Sequence, residues 1–392
     1  MKIAIDARTI LNPEKNPAIG VGHYTYQLIR HLLDMDGENH YTLFFDYRVR
    51  EKDVRKFSKK NVTIKYFPWS DYKKYLPGAY SEILGLATLS HDTFDVLHAT
   101  SPDARVPLGY RGKVICTFQD LAVYKYPDLY HTMSATKAKY NRKSMAKRAD
   151  KIIAVSENTK NDVHDLFGVE GDKVSVIHNG VDKRFFIDPS CSMEDLQKEF
   201  SRRFGITKKY FLFTGTLEPI KNIPNLLKAF RMLKDDQKEK GKEYDYQLVM
   251  AGKKGWRADD FVQNAKDLGL AEDVKFLGYV EAEDFVKLLK GAELFVMPSL
   301  YEGFGMTVLE ALAVKAPCVV SEIGSLKEIC SDSVEYCNPK DAKDIAKKIE
   351  MVLDDQAKKE EMKKKGYEQA KKFSWDRCAE KTLEIYKEVA RK

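Results

Sequence analysis

Two carboxylates eight positions apart frame a glycine turn in this 392-residue chain, in the segment Glu302-Gly303-Phe304-Gly305-Met306-Thr307-Val308-Leu309-Glu310. An apolar run at 294–297 precedes it and reads as a buried strand. Ala311-Leu312-Ala313-Val314 continues a helix that begins around Met306. A strand, a glycine loop and a helix start aim free backbone N–H groups at an anion. The flanking carboxylates cannot bind a phosphate, but they accept hydrogen bonds from hydroxyls. A site that wants both phosphate and hydroxyls points to a nucleotide-sugar.

Two further places carry residues suited to chemistry. Gly20-Val21-Gly22 precedes a helical run at 24–33, where glycine lets the backbone approach a ligand and the helix start adds N–H donors. It fails as a dinucleotide motif because the third glycine is absent. Phe118-Gln119-Asp120-Leu121 closes an apolar run at 114–118. Gln119 can hydrogen-bond a sugar hydroxyl but cannot take a proton near pH 7. Asp120 either orients a sugar or orders its own loop. Asp34-Met35-Asp36 is formally a metal motif, but it follows a helix and reads as a solvated helix end, so no metal is expected. Lys137, Lys139, Arg142, Lys143, Lys147 and Arg148 crowd one helix, which is either a charged, solvated face or a contact for anionic lipid headgroups.

The elements that must position these residues alternate along the whole chain. Short apolar runs lie at 2–5, 41–45, 62–66, 96–98, 114–118, 152–155 and 174–177, then at 210–213, 247–251, 274–277, 294–297 and 318–321. Unbroken apolarity at that length fits strands buried on both faces. The helical patterns between them imply βαβ units with right-handed crossovers. Residues 187–198 lack strand pattern and read as a linker, so two Rossmann-like halves would face each other across a cleft. The length suits two domains of roughly 150–200 residues each. A hydrophobic content of 43%, a charged content of 32% and a net charge of +7 describe a soluble protein that is only mildly basic, which does not argue for nucleic acid. Six cysteines without C-x-x-C spacing read as a reducing, cytosolic compartment. The first residues are charged too soon for a signal peptide, and no run is long enough to span a membrane.

The segment from Pro298 to Met306, followed by Glu310-Ala311-Leu312, resembles the E-x7-E signature of family-4 retaining glycosyltransferases of the GT-B fold. Five further segments agree in order: Asn179-Gly180-Val181-Asp182, Gly215-Thr216-Leu217-Glu218-Pro219, Ala251-Gly252-Lys253-Lys254-Gly255-Trp256, Phe276-Leu277-Gly278-Tyr279-Val280 and Phe373-Ser374-Trp375. The resemblance implies an acceptor domain at 1–187, a linker at 188–206, a nucleotide-sugar domain at 207–372 and a helix at 373–392 that returns to the first domain. It implies that Glu302 faces the donor sugar and that Lys221 stands beside the diphosphate. Gly303, Phe304, Gly305, Met306 and Thr307 would line sugar and diphosphate, and Glu310 would receive the ribose hydroxyls. Tyr279 and Val280 would meet the base, and Gly20 and Gly22 would border donor and acceptor. Two departures stand out. The family's arginine near the lysine is absent at Thr216 and Ile220, leaving Lys253 or Lys254 as substitutes, and its histidine before Asp120 is replaced by Gln119. The implied reaction is metal-free hexosyl transfer with retention, with GDP-mannose the first choice of donor and a glycan or lipid-linked acceptor. The chain would work in the cytoplasm, peripherally at the inner face of the plasma membrane. The alternatives are a non-catalytic nucleotide-sugar-binding subunit and a nucleotide-sugar epimerase on the same fold.

Overall fold

The computed structural model describes residues 1–10, 20–67, 78–104, 106–187, 192–241 and 243–391. The chain forms two compact units. The first comprises Met1–Pro127, His131–Gly180 and Ser374–Lys392; the second comprises Asp128–Tyr130 and Val181–Phe373.

Among the described residues, the first unit holds seven parallel strands: β1 (Lys2–Asp6), β2 (His40–Asp46), β3 (Val62–Phe67), β4 (Val96–Ala99), β5 (Val114–Phe118), β6 (Lys151–Ala154) and β7 (Val174–Val176). Their order is β3-β2-β1-β4-β5-β6-β7. The second unit holds β8 (Lys209–Thr214), β9 (Tyr246–Ala251), β10 (Val274–Gly278), β11 (Leu294–Met297), β12 (Cys318–Ser321) and β13 (Glu335–Cys337), ordered β10-β9-β8-β11-β12-β13. Strand order reverses at β1/β4 and at β8/β11. At such a switch point the crossovers leave in opposite directions and open a crevice beyond the carboxyl ends of the strands.

The apolar runs of the sequence became strands because both faces of each sheet are covered by helices. In the second unit Phe211, Phe213, Leu248, Met250 and Val296 pack against Leu226, Leu227 and Phe230 of the helix Ile223–Glu239, all fully buried. The strand β13 escaped the sequence reading because three residues, Glu335-Tyr336-Cys337, carry too little pattern at a sheet edge. Residues 188–206 were expected to form a linker, and that expectation is corrected in part. Residues 188–191, with Cys191, lie outside the described residues, but Met193–Phe204 is a helix of the second unit. The Ser192 hydroxyl accepts from the Asp195 amide, and Leu196 and Phe200 are buried one turn apart. Gly252 shows how closely the second unit's loops approach: a Cβ there would lie 1.8 Å from the Gly215 carbonyl oxygen.

The helix Trp375–Arg391 joins the first unit through a buried polar chain. His98 Nδ1 bonds the Tyr386 hydroxyl at 2.6 Å, His98 Nε2 bonds Thr117 Oγ1 at 2.8 Å, and the Tyr24 hydroxyl meets Thr117 Oγ1 at 3.0 Å. Burial pushes the His98 imidazolium pKa down to about 3, with a small opposing effect from Asp6. A depressed histidine contributes stability above its ordinary value of 6.5, and that contribution is lost as pH falls from 6.5 toward 3. Tyr386→Phe leaves the His98 nitrogen unpartnered. Urea unfolding should show a loss of about 1–3 kcal/mol, whereas an unchanged midpoint would mean the chain of bonds contributes nothing net.

Candidate functional site

The carboxyl ends of β8 and β11 bring the sequence's chemical residues together. Past β8 the chain turns through Pro219–Lys221 into the helix Ile223–Glu239. Past β11 it runs through Pro298 and Glu302 into the helix Met306–Ala313. Lys221 Nζ donates to Glu302 Oε1 at 2.6 Å, with side-chain exposures of 19% and 12%. The Ser325 hydroxyl donates to the Glu302 carbonyl at 2.6 Å, and the Leu300 amide donates to the Ile220 carbonyl at 2.9 Å. The two loops are therefore cross-linked by backbone and by charge.

Gly305 caps the helix Met306–Ala313 with φ 106, a conformation that L side chains rarely adopt, and a Cβ there would lie 2.5 Å from Leu326 Cδ2. The Val308 and Leu309 amides return to the Gly305 carbonyl. Among the described residues, the amides of Gly305, Met306 and Thr307 have no partner, so the positive end of the helix is open to an anion. Gly303 and Phe304 are buried beneath it, and Phe304 packs edge-on against Phe373.

Glu310 projects from the same helix, partly accessible and without a hydrogen-bond partner among the described residues. Burial raises its pKa to about 8; Asp182 adds to the rise and Arg184 opposes it. Asp182 in turn accepts from Arg184 at 3.0 Å. The consequence is a carboxyl that holds its proton at neutral pH. The folded protein keeps this proton up to about pH 8, whereas the unfolded chain loses it near 4.5. Stability of the free protein therefore falls as pH rises from 4.5 to 8. Glu310→Gln should flatten that part of a melting-temperature profile, and a profile identical to the wild type would show that the proton sits elsewhere.

Three buried hydroxyls at strand ends find no partner among the described residues: Thr214 Oγ1 at the end of β8, Ser299 Oγ after β11 and the Tyr279 hydroxyl after β10. An unsatisfied buried hydroxyl costs about 1–3 kcal/mol, which a polar ligand would relieve. Thr214 and Arg184 carry no signal in the sequence motifs, while Ser299 and Asp182 stand only inside the matched segments Pro298–Met306 and Asn179–Asp182. Val280 follows Tyr279, whose ring lies 5.4 Å from Lys253 Nζ. Lys254 is paired with Asp259 at 2.7 Å. Ile220 is buried, so an arginine could not replace it without disrupting the core contact.

The remaining expected residues belong to the first unit. Gly20 caps the helix Val21–Met35 and Gly22 lies inside it, so the helix begins earlier than the expected 24–33. Gln119 keeps a buried, unpartnered Nε2 beyond the end of β5. Asp120 orders its own loop, accepting from the Ala122 amide at 3.1 Å and from Arg142 at 3.3 Å. Arg142 also grips Asp103, and Arg148 donates to the carbonyls of Val106, Pro107 and Tyr110. These two arginines are corrected from surface cations to internal braces. Lys137, Lys143 and Lys147 are exposed, and Lys139 lies over the Tyr124 ring. The solvated helix end expected at Asp34–Asp36 is corrected in part: Asp34 is exposed, but Asp36 is buried and its carboxylate accepts from Asn39 and Tyr41.

The family described as "Glycosyl transferases group 1" matches residues 176–369, and "Glycosyltransferase Family 4" matches residues 19–185. O-antigen chain mannosyltransferase B of Escherichia coli is 30% identical over 286 residues, 70% of each chain. An uncharacterised glycosyltransferase of Methanocaldococcus jannaschii is 25% identical over 381 residues, 95% of each chain. In fold, the chain resembles Anabaena HepE, solved with UDP and glucose, at a TM-score of 0.76 and 17% identity, covering 99% of this chain and 100% of that one. It also resembles WaaG, a glycosyltransferase of lipopolysaccharide biosynthesis, at a TM-score of 0.73 and 14% identity, covering 98% and 99%.

Proposed function

The chain belongs to the group 1, family 4 glycosyltransferases of GT-B fold, and on that premise we propose that it moves a hexose from a nucleotide-sugar to a glycan or lipid-linked acceptor with retention of configuration. Mannose from GDP-mannose is the first choice, supported by the mannosyltransferase among its relatives. The observation that carries the reading is the open helix end at Gly305–Thr307, flanked by the Lys221–Glu302 pair on one side and by Glu310 on the other.

Each residue then has a role that its surroundings support. The diphosphate rests on the amides of residues 305–307. As the bond from the anomeric carbon to the phosphate oxygen breaks, the growing charge is stabilised by those dipoles and by Lys221. Glu302 faces the donor sugar. Glu310 meets the ribose hydroxyls, and Tyr279 and Val280 border the base. Gln119 hydrogen-bonds a sugar hydroxyl without acting as a base. The acceptor's proton passes to the departing phosphate oxygen on the same face, where the new glycosidic bond forms. No metal takes part in this scheme. Lys221→Ala should lower kcat by about 100-fold, as loss of one preorganised cation or donor does elsewhere. A thermal-shift panel of nucleoside diphosphates and their sugars should give its largest shift with the true donor. A flat panel, or full turnover in Lys221→Ala, would remove the site from this position.

The acceptor is expected at a lipid surface, with the protein held peripherally at the inner face of the membrane. No described helix is long and apolar enough to cross one. The helix Thr132–Arg148 exposes Met133 at 76% and Tyr140 at 75%, in a stripe with Lys137 and Lys147 and beside Lys143. Basic residues near an anionic surface contribute roughly 1 kcal/mol each. Flotation should recover the protein with vesicles containing anionic lipid but not with neutral ones. Changing Lys137, Lys143 and Lys147 to glutamate should abolish that recovery, while unchanged flotation would exclude this helix.

A further inference from the structure

Asn222 stands between Lys221 and the helix Ile223–Glu239, at the cap position of that helix. An asparagine there ordinarily accepts a hydrogen bond from a first-turn amide. This one makes no such bond. Its side chain is turned away and is buried at 6% exposure. Nδ2 donates to the Pro298 carbonyl at 2.9 Å and to the Pro339 carbonyl at 2.6 Å, so both amide hydrogens bridge to other loops. Asn225 adds a third bond, from Nδ2 to the Pro339 carbonyl at 3.1 Å. The backbone of Asn222 is left-handed, at φ 59 and ψ 33, a conformation that asparagine tolerates better than most residues.

The place of these bonds matters. Pro298 follows β11 and opens the segment that ends at Glu302. Pro339 follows β13. The ladder between β8 and β11 registers Phe211 with Leu294 and Leu212 with Phe295. Beyond that ladder, the loops of the site are joined by the Leu300–Ile220 backbone bond, by the Lys221–Glu302 pair and by Asn222. The pair sits on two long side chains and cannot by itself fix its own backbone. Asn222 is adjacent in sequence to the lysine and hydrogen-bonds directly to the loop that carries the glutamate.

We propose that Asn222 is a positioning residue of the donor site, holding the Lys221 loop against the Glu302 loop so that cation and carboxylate keep a fixed separation around the diphosphate. This rests on the function proposed above. Two loops that slide by an ångström cost catalysis far more than they cost folding, because a misplaced group can lose about 100-fold in rate.

The test uses Asn222→Gly, which keeps the left-handed backbone and removes both donors, and Asn222→Asp, which keeps the shape but sets an acceptor against two carbonyls. One readout needs no substrate: acylation of Lys221 by acetic anhydride, followed by peptide mass spectrometry with Lys254 as the internal reference. Labelling of Lys221 should rise several-fold in both variants. The second readout is turnover of the nucleotide-sugar that stabilises the wild type most. Asn222→Gly should lower kcat about tenfold or more with donor KM little changed, and combining it with Lys221→Ala should slow the enzyme no further than Lys221→Ala alone. Unchanged labelling in folded Asn222→Gly, or effects that multiply in the double variant, would overturn the positioning role. Raised labelling in a protein that binds no nucleoside diphosphate would uphold the brace and sink the donor reading instead. If Asn222→Gly fails to fold, Asn222→Asp carries the same comparison.

Discussion

A lysine ammonium held against a glutamate carboxylate at 2.6 Å joins the two loops of the second unit's crevice. The rest of the site is arranged around that pair. A parallel sheet whose crossovers diverge at β8/β11 leaves its loops without a ladder to lie on, so something else must hold them. Here charge, one backbone bond and the Asn222 amide do so. The helix Met306–Ala313 then presents its amides to whatever lies beside the pair.

The two carboxylates of the E-x7-E segment live in different surroundings although they belong to one loop and helix. Glu302 is paired with a cation, whereas Glu310 is only partly accessible, has no hydrogen-bond partner among the described residues and lies near Asp182, so that burial keeps its proton near neutral pH. Contrasting environments of this kind give two chemically identical side chains different duties. A protonated Glu310 can both donate to and accept from a vicinal diol, which a carboxylate that only accepts cannot do.

Most of the fold was legible because strands of parallel sheets are continuous apolar runs, a local signal that needs no knowledge of neighbours. Twelve such runs became strands, and the one missed, Glu335–Cys337, has only three residues, is not continuously apolar and lies at an edge. The helix Met193–Phe204 was hidden because Leu196 and Phe200 are its main buried anchors among charged residues. The glycine turn and the helix start at Met306 agree with motif reading, whereas the direct pairing of Lys221 with Glu302 was not read from the sequence. What sequence could not reveal was partnership at long range. Arg142 and Arg148 look like surface cations until Asp103, Asp120 and the carbonyls of Val106, Pro107 and Tyr110 are seen around them. Asp120 offered two roles, and its bonds to Ala122 and Arg142 are of the kind that orders its loop.

The first unit is interrupted in sequence, since Ser374–Lys392 follows the whole of the second unit yet packs with the first. During synthesis the ribosome therefore delivers a first unit whose His98 has no tyrosine partner and whose His23 and Tyr24 lack the Trp375 ring that covers them. Those residues stay uncovered for as long as the second unit takes to emerge, a window in which a nascent chain is most in need of a chaperone.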